Sequence, residues 1–330
     1  MVDPTNVTSS VNQTCDLVVP SVNPFFMMVY SLVFLVGLIL NGIIMRFYFR
    51  QAQQQASSSL MVYLKNLTAA DFLLCLALPL RITHYASSSG IVHRYYCAFG
   101  ASALYLNMYA SIIFMGYIAA NRYLKIVHPS GTHILQTVQT AHIVSTVTWV
   151  FLLTPAITYN IMFFITHNPL TSDSGYCESL FSTSFSVLHK TFQTSCTIIF
   201  LLVFISLVFF YYGTSRRVLQ AQQSRLASSC ADKLLKSRKN MLVLVSIFCL
   251  CFVPYHLVRL PYTLLWTSCS VRQVLYYLKE VTTMVSVSNV CLDPLVYFFI
   301  CKTFRAQVKK MSRRESESSR KEHKADKSVY

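Results

Sequence analysis

Seven long apolar runs separated by short polar connectors fix what this chain can fold into. They fall at about 24–49, 59–85, 94–127, 138–164, 187–217, 233–265 and 271–299, and a helix needs about 20 such residues to cross a bilayer. Within the hydrocarbon each backbone N–H and C=O must be satisfied internally, which for runs of this kind means α-helix. Several runs exceed the minimum, so tilt or extension beyond the lipid is expected. Only 12% of the 330 residues are charged and 54% are hydrophobic, whereas a soluble domain carries roughly 25% charged residues. A chain of this length cannot build a core large enough to hide that surplus. The expectation is an all-α membrane protein, a seven-transmembrane helix bundle.

The placement of charge, more than the net +16, carries the information. No Lys or Arg precedes Arg46, and the tail from Lys302 onward is dense with both. Arg50 flanks the connector 51–59, Arg122 and Lys125 mark the next alternate connector, and Arg216, Arg217, Arg225, Lys233, Lys236, Arg238 and Lys239 fill the third. The positive-inside rule puts these on the cytosolic side, which speaks against a nucleic-acid partner and for membrane lipid. Asn6 and Asn12 open sequons in an arm free of Lys and Arg, as an extracellular, glycosylated N-terminus would. The arm lacks the basic and apolar regions of a cleavable signal peptide. N-terminus outside and C-terminus inside require an odd number of spans.

The expected organisation is an extracellular arm 1–23, a bundle 24–301, an amphipathic membrane-surface helix 302–311 and a disordered cytosolic tail 312–330. Phe304, Val308 and Met311 recur at helical spacing among Lys302, Arg305, Lys309 and Lys310, which reads as a short eighth helix on the inner leaflet, an ordinary charged tail being the alternative. Ser312, Ser316, Ser318 and Ser319 offer phosphorylation sites in that tail. Five cysteines (Cys75, Cys196, Cys249, Cys251, Cys291) lie in spans, where a small buried hydrophobe is the ordinary reading. Cys15, Cys97, Cys177 and Cys269 fall in outer segments and allow two disulfides, in any of three pairings.

Ionisable groups inside spans are costly and each marks a candidate site. Asp71, Ser111, Asn289 and Asp293, with Asn41, sit at similar depth. Two carboxylates and several neutral oxygens there could hold a small cation such as Na⁺, or form a hydrogen-bonded layer without one. In the sixth span His256, Arg259 and Tyr262 are spaced i, i+3, i+6 and share a face. Arg259 and Lys279 put two cations near the outer mouth. An anion would satisfy them, arginine being suited to phosphate or carboxylate; the neighbouring Glu280 is the alternative partner. Arg122 follows Cys97 by 25 residues, about 37 Å of helix, so it closes the inner end of a span that Cys97 opens. No His-rich cluster, GxSxG or Cys/His spacing points to an enzyme. The 8 glycines show no paired helix interruptions of a transporter.

In order along the chain stand Asn41, Leu67 to Asp71, Asn121-Arg122-Tyr123, Trp149, Phe248 to Pro254 and Asp293-Pro294-Leu295-Val296-Tyr297. On these landmarks residues 25–311 resemble the rhodopsin-like receptors that couple extracellular ligand to G protein. The segment from Cys251 to Thr263, with Lys279-Glu280 and Asn289 to Pro294, looks like the purinergic subgroup that includes the ADP and UDP-glucose receptors, related orphans and lysophospholipid-responding members.

The resemblance implies an anion pocket of Arg259, Lys279, Tyr262, His256, His189 and Tyr105, and disulfides Cys97–Cys177 and Cys15–Cys269. It implies activation machinery at Arg122, Tyr211, Phe252, Pro254 and Tyr297, and a sodium site at Asp71, Ser111, Asn289 and Asp293. It further implies a plasma-membrane receptor for a nucleotide, nucleotide sugar or lysophospholipid, coupled to inhibitory heterotrimeric G protein, with receptor kinase and arrestin as partners and no cofactor beyond allosteric Na⁺. A small carboxylate or oxidised fatty acid is the alternative ligand, and a transporter the rival class. Asn121 departs from the family's usual acid, Phe252 from its usual Trp, and the fifth span lacks the usual proline. The loop 167–185 carries Asp173 and Glu178 and no Lys or Arg, which favours a ligand of low charge.

Overall fold

The computed structural model describes residues 23–52, 58–87, 89–128, 133–166, 183–223, 228–264, 269–301 and 304–306. Among them seven helices are long and apolar enough to cross a membrane. They are α1 (Pro24–Ala52), α2 (Ser59–Ala86), α3 (Gly90–Val127), α4 (Val138–Thr166), α5 (Thr183–Gln223) and α6 (Ser228–Leu264). The seventh, α7, runs Cys269–Val287 and Asn289–Ile300 on either side of Ser288. Side chains such as Phe49 (70% exposed) and Leu257 (69%) point outward, a surface that only lipid makes favourable.

The expected basic connector 215–239 is mostly helix, since α5 continues to Gln223 and α6 begins at Ser228. Hydropathy ends where lipid ends, but residues such as Arg216, Arg217, Leu219 and Gln220 are good helix formers and carry the helix on into water. Likewise α3 starts at Gly90, before its apolar run, and includes a π turn at Tyr96–Gly100.

Helix α3 lies at the centre, packed on α2, α4, α5 and α6. Buried polar groups tie the helices together. Pro294 has no N–H to give to the carbonyl four residues back, and that carbonyl, Val290 O, accepts from Asn41 Nδ2 of α1 at 2.9 Å. Trp149 Nε1 donates to Asn66 Oδ1 at 2.8 Å, joining α4 to α2, and Asn160 Nδ2 donates to Ser102 Oγ at 2.9 Å, joining α4 to α3. Close approach of α1 and α7 needs Gly37, where a Cβ would sit 2.9 Å from Val290 Cγ1.

Of the expected eighth helix, residues 304–306 are helical, and the buried Phe304 ring meets Phe47 edge-on at 5.2 Å. The rest of 302–311 lies outside the described residues, as do 1–22, the tail, both sequon asparagines, Cys15 and Cys177.

Candidate functional site

At the Cys97 end of the bundle, helices α2 to α7 surround a cleft with about 570 Å³ of empty space, lined by Arg81, Tyr96, Tyr105, Tyr159, His189, Tyr255, Arg259, Lys279, Glu280 and Thr283 among others. Its polar floor starts from a glycine. A Cβ on Gly100 would lie 2.6 Å from Tyr96 Cδ2, so only glycine lets the Tyr96 ring fold back along its own helix. That ring stacks on His84 at 4.3 Å, and its hydroxyl accepts from Arg81 Nη1.

Arg81, in the last turns of α2, is 4% exposed. Its Nη2 lies 3.0 Å from Glu280 Oε2 of α7, and Tyr85 donates its hydroxyl to the same oxygen. The guanidinium also sits 4.6 Å from the Tyr30 ring centroid. The other oxygen, Glu280 Oε1, is 3.2 Å from Lys279 Nζ. One buried carboxylate thus serves two cations, which offsets part of the cost of removing all three charges from water. The Tyr262 ring lies 4.9 Å from Lys279 Nζ and 5.5 Å from the Arg259 guanidinium carbon. Three positive groups (Arg81, Arg259, Lys279) and the carboxylate of Glu280 stand among the described lining of the cleft.

Arg259, Lys279, His189 and Tyr105 line this one cleft, with Tyr262 against both cations. His256 does not line it, which corrects the sequence expectation. Three residues of helix rise carry it about 4.5 Å deeper than Arg259, into the core. There its ring stacks on Phe200 at 3.8 Å, with Nδ1 2.8 Å from Phe252 O and Nε2 3.2 Å from the Tyr109 hydroxyl. A carbonyl only accepts, so Nδ1 holds a hydrogen, and in the neutral ring Nε2 is then left to accept from the Tyr109 hydroxyl. Arg81 and its tyrosines were missed by sequence reasoning; an arginine inside the second span was the available signal.

Deeper in the bundle Asp71, Ser111, Asn289 and Asp293 are all fully buried. Asn289 Nδ2 donates to Ser111 Oγ at 3.1 Å and to Asp293 Oδ2 at 3.5 Å. Asn107, not foreseen, donates to Asp71 Oδ1 at 3.0 Å. Asp71 Oδ2, Asp293 Oδ1 and Asn289 Oδ1 have no hydrogen-bond partner among the described residues. Buried carboxylate oxygens of this kind call for a proton or a cation, and an all-oxygen donor set suits a hard one.

At the other end Arg122 Nη2 donates to Ile300 O of α7 at 2.8 Å. Asn121 Nδ2 donates to Ser59 Oγ at 2.8 Å, tying α3 to α2. The Tyr297 hydroxyl donates to Leu64 O and meets Thr68 Oγ1. Phe252 is buried against Phe248, ring centroids 5.4 Å apart, just before Pro254 inside α6. Tyr211 is half-buried on α5, and among the described residues no hydrogen bond joins it to Arg122 or Tyr297. Tyr123 packs over Gly213, where a Cβ would fall 2.6 Å from its ring. Cys97 is disulfide-bonded; Cys177, its expected partner, lies outside the described residues, as does Cys15, and Cys269 opens α7.

Residues 40–297 match the family model described as 7 transmembrane receptor (rhodopsin family). The chain is 36% identical over 287 residues to purinoceptor 14 of Bos taurus, covering 84% of this chain and 82% of that one. It is 32% identical over 301 residues to G-protein coupled receptor 87 of Mus musculus (88% and 81% covered). With purinoceptor 13 of Homo sapiens it shares 30% over 306 residues (90% and 84%).

Proposed function

Since the chain belongs to the rhodopsin family of seven-transmembrane receptors, we propose that it binds a phosphate-bearing anion at the Cys97 end and signals through inhibitory heterotrimeric G protein at the Arg122 end. The protein is a multi-pass membrane receptor and not an enzyme, with extracellular ligand and G protein as its partners. The reading for an anion rests on one observation above others, the convergence of Arg81, Arg259 and Lys279 from three helices on one cleft. The purinoceptor names of two relatives favour a phosphate ester. The acids Asp173 and Glu178 in the loop 167–185 favour one of low charge, a lysophospholipid or nucleotide sugar before a nucleoside triphosphate. In this reading the N-terminus is extracellular at the plasma membrane and the C-terminus cytosolic. Receptor kinase and arrestin act on the serines of the tail.

A ligand held by Arg259 on α6, Lys279 on α7 and Arg81 on α2 binds best when those helix ends are drawn together, and only such a difference in affinity can shift the conformational equilibrium. Pro254 supplies the flexible point in α6. Movement there frees Arg122 from Ile300 O and opens the cleft that G protein enters. A tenfold change in ligand affinity needs about 1.4 kcal/mol of coupling. Na⁺, held by Asp71 and Asp293 with Ser111 and Asn289, opposes the shift by bracing the unliganded arrangement.

The test screens nucleotides, nucleotide sugars, lysophospholipids and small carboxylates for lowering of cyclic AMP in cells carrying the full chain. Excess GTP analogue should weaken binding of whichever agonist emerges. A cell response with no effect of the analogue on binding would contradict the coupling.

A further inference from the structure

We propose that the ends of α2 and α3 nearest Cys97 form a zinc site whose protein ligands are His84 Nδ1 and His93 Nδ1. His84 stands in the last turn of α2, and His93 in the first turn of α3, across the short connector 87–89. The two Nδ1 atoms are 3.3 Å apart, and the ring centroids 4.9 Å. Both side chains are half-buried, within reach of dissolved ions. A hydrogen bond accounts for this pair poorly, since 3.3 Å is long against the usual range of about 2.7–3.2 Å. A shared metal accounts for it well. Zinc binds imidazole nitrogen at about 2.0–2.1 Å, so at the tetrahedral angle two such nitrogens stand about 3.3 Å apart, with ring centroids about 5 Å apart. The right angles of square-planar copper(II) or nickel(II) would bring the nitrogens to about 2.9 Å.

The surroundings prepare both rings. His93 Nε2 lies 3.5 Å from Cys97 Sγ, one helical turn on, and that sulfur, being in a disulfide, carries no hydrogen. Nε2 therefore donates, and in the neutral ring Nδ1 is left with its lone pair toward His84. A ligating histidine commonly anchors its other N–H in this way. The His84 ring is held by its stack on Tyr96, centroids 4.3 Å apart. As the metal binds, its hydrogen moves from Nδ1 to Nε2 and the ring stays neutral. The charged groups that act on His84 include Arg81, Lys279 and Glu280. Both cations share the Glu280 carboxylate, at 3.0 and 3.2 Å, which offsets part of their repulsion of a dication. Among the described residues no cluster of three or more His, Cys, Asp or Glu completes the set, so water takes the remaining positions. The bridge fastens α2 to α3 and, through Tyr96, steadies the hydroxyl that accepts from Arg81.

The test titrates the purified full chain in detergent with zinc chloride and, in parallel, with magnesium chloride, following the unfolding temperature. Zinc binds the folded pair and not the unfolded chain in the same way, so the temperature should climb with zinc concentration. Magnesium, which prefers oxygen ligands, should leave it unchanged. His84→Phe removes one ligand and keeps a ring on Tyr96. His93→Gln removes the other and keeps an N–H for Cys97 Sγ, and it serves where the first variant fails to fold. Each should raise the half-maximal zinc concentration by about tenfold or more. The chain has nine histidines in all, so the variants decide where the ion sits. No rise with zinc in the parent, or a parent-like zinc curve in either folded variant, overturns the site.

Discussion

Arg81 Nη2 and Glu280 Oε2 lie 3.0 Å apart across α2 and α7, with side chains 5% and 10% exposed. Because Lys279 Nζ holds the other oxygen at 3.2 Å, this carboxylate is the counter-charge for two of the three cations of the cleft. Glu280→Gln should therefore destabilise the empty receptor by about 3–5 kcal/mol, the cost of leaving buried charge uncompensated. The check is thermal unfolding of detergent-solubilised receptor, where Arg81→Met added to Glu280→Gln should recover part of the loss. A full-strength receptor carrying Glu280→Gln alone would show the pair to be dispensable.

His256 should act on stability and not on ligand recognition. Replacement by Phe keeps the stack on Phe200 but strands the Tyr109 hydroxyl, at a cost of about 1–3 kcal/mol. Agonist potency should stay within about threefold of the parent, whereas the unfolding temperature falls. A large potency loss at unchanged stability would return His256 to the cleft.

The buried carboxylates Asp71 and Asp293 make a different prediction. Agonist binding to the parent receptor should weaken when choline chloride is replaced by sodium chloride, and Asp71→Asn should remove that dependence. If the parent receptor binds agonist equally in both salts, the two acids are a hydrogen-bonded layer sharing a proton and nothing more.

Gly213 and Tyr123 form a tight contact between α5 and α3 near Arg122. Gly213→Ala should cost about 1–3 kcal/mol, since the added carbon meets a ring flanked by Phe209 and Phe210. Tyr123→Leu in the same chain should recover much of it, read from unfolding temperatures of the single and double variants.

The helices were legible in the sequence because lipid leaves an apolar chain one way to satisfy its backbone. Their ends in water were not, as α5 and α6 show beyond 217 and before 233: there helix propensity, not hydropathy, decides. Arg259 and Lys279 could be brought together from sequence because each is a charge in an apolar span. Arg81 carried the same signal, but its value depends on Glu280, 199 residues away, and on a tyrosine that a π turn re-aims. His256 shows the limit of periodicity, which gives the face of a helix but not the depth at which a neighbour takes over the side chain.

The most direct measurement of the central claim is the agonist concentration–response curve of Arg259→Ala and Lys279→Ala receptors at matched surface display. Each variant removes a charge-assisted contact worth about 1.5–3 kcal/mol, so each curve should shift to higher concentration by about tenfold or more with the maximal response retained. Curves that overlay the parent would show that the cationic cleft does not hold the ligand.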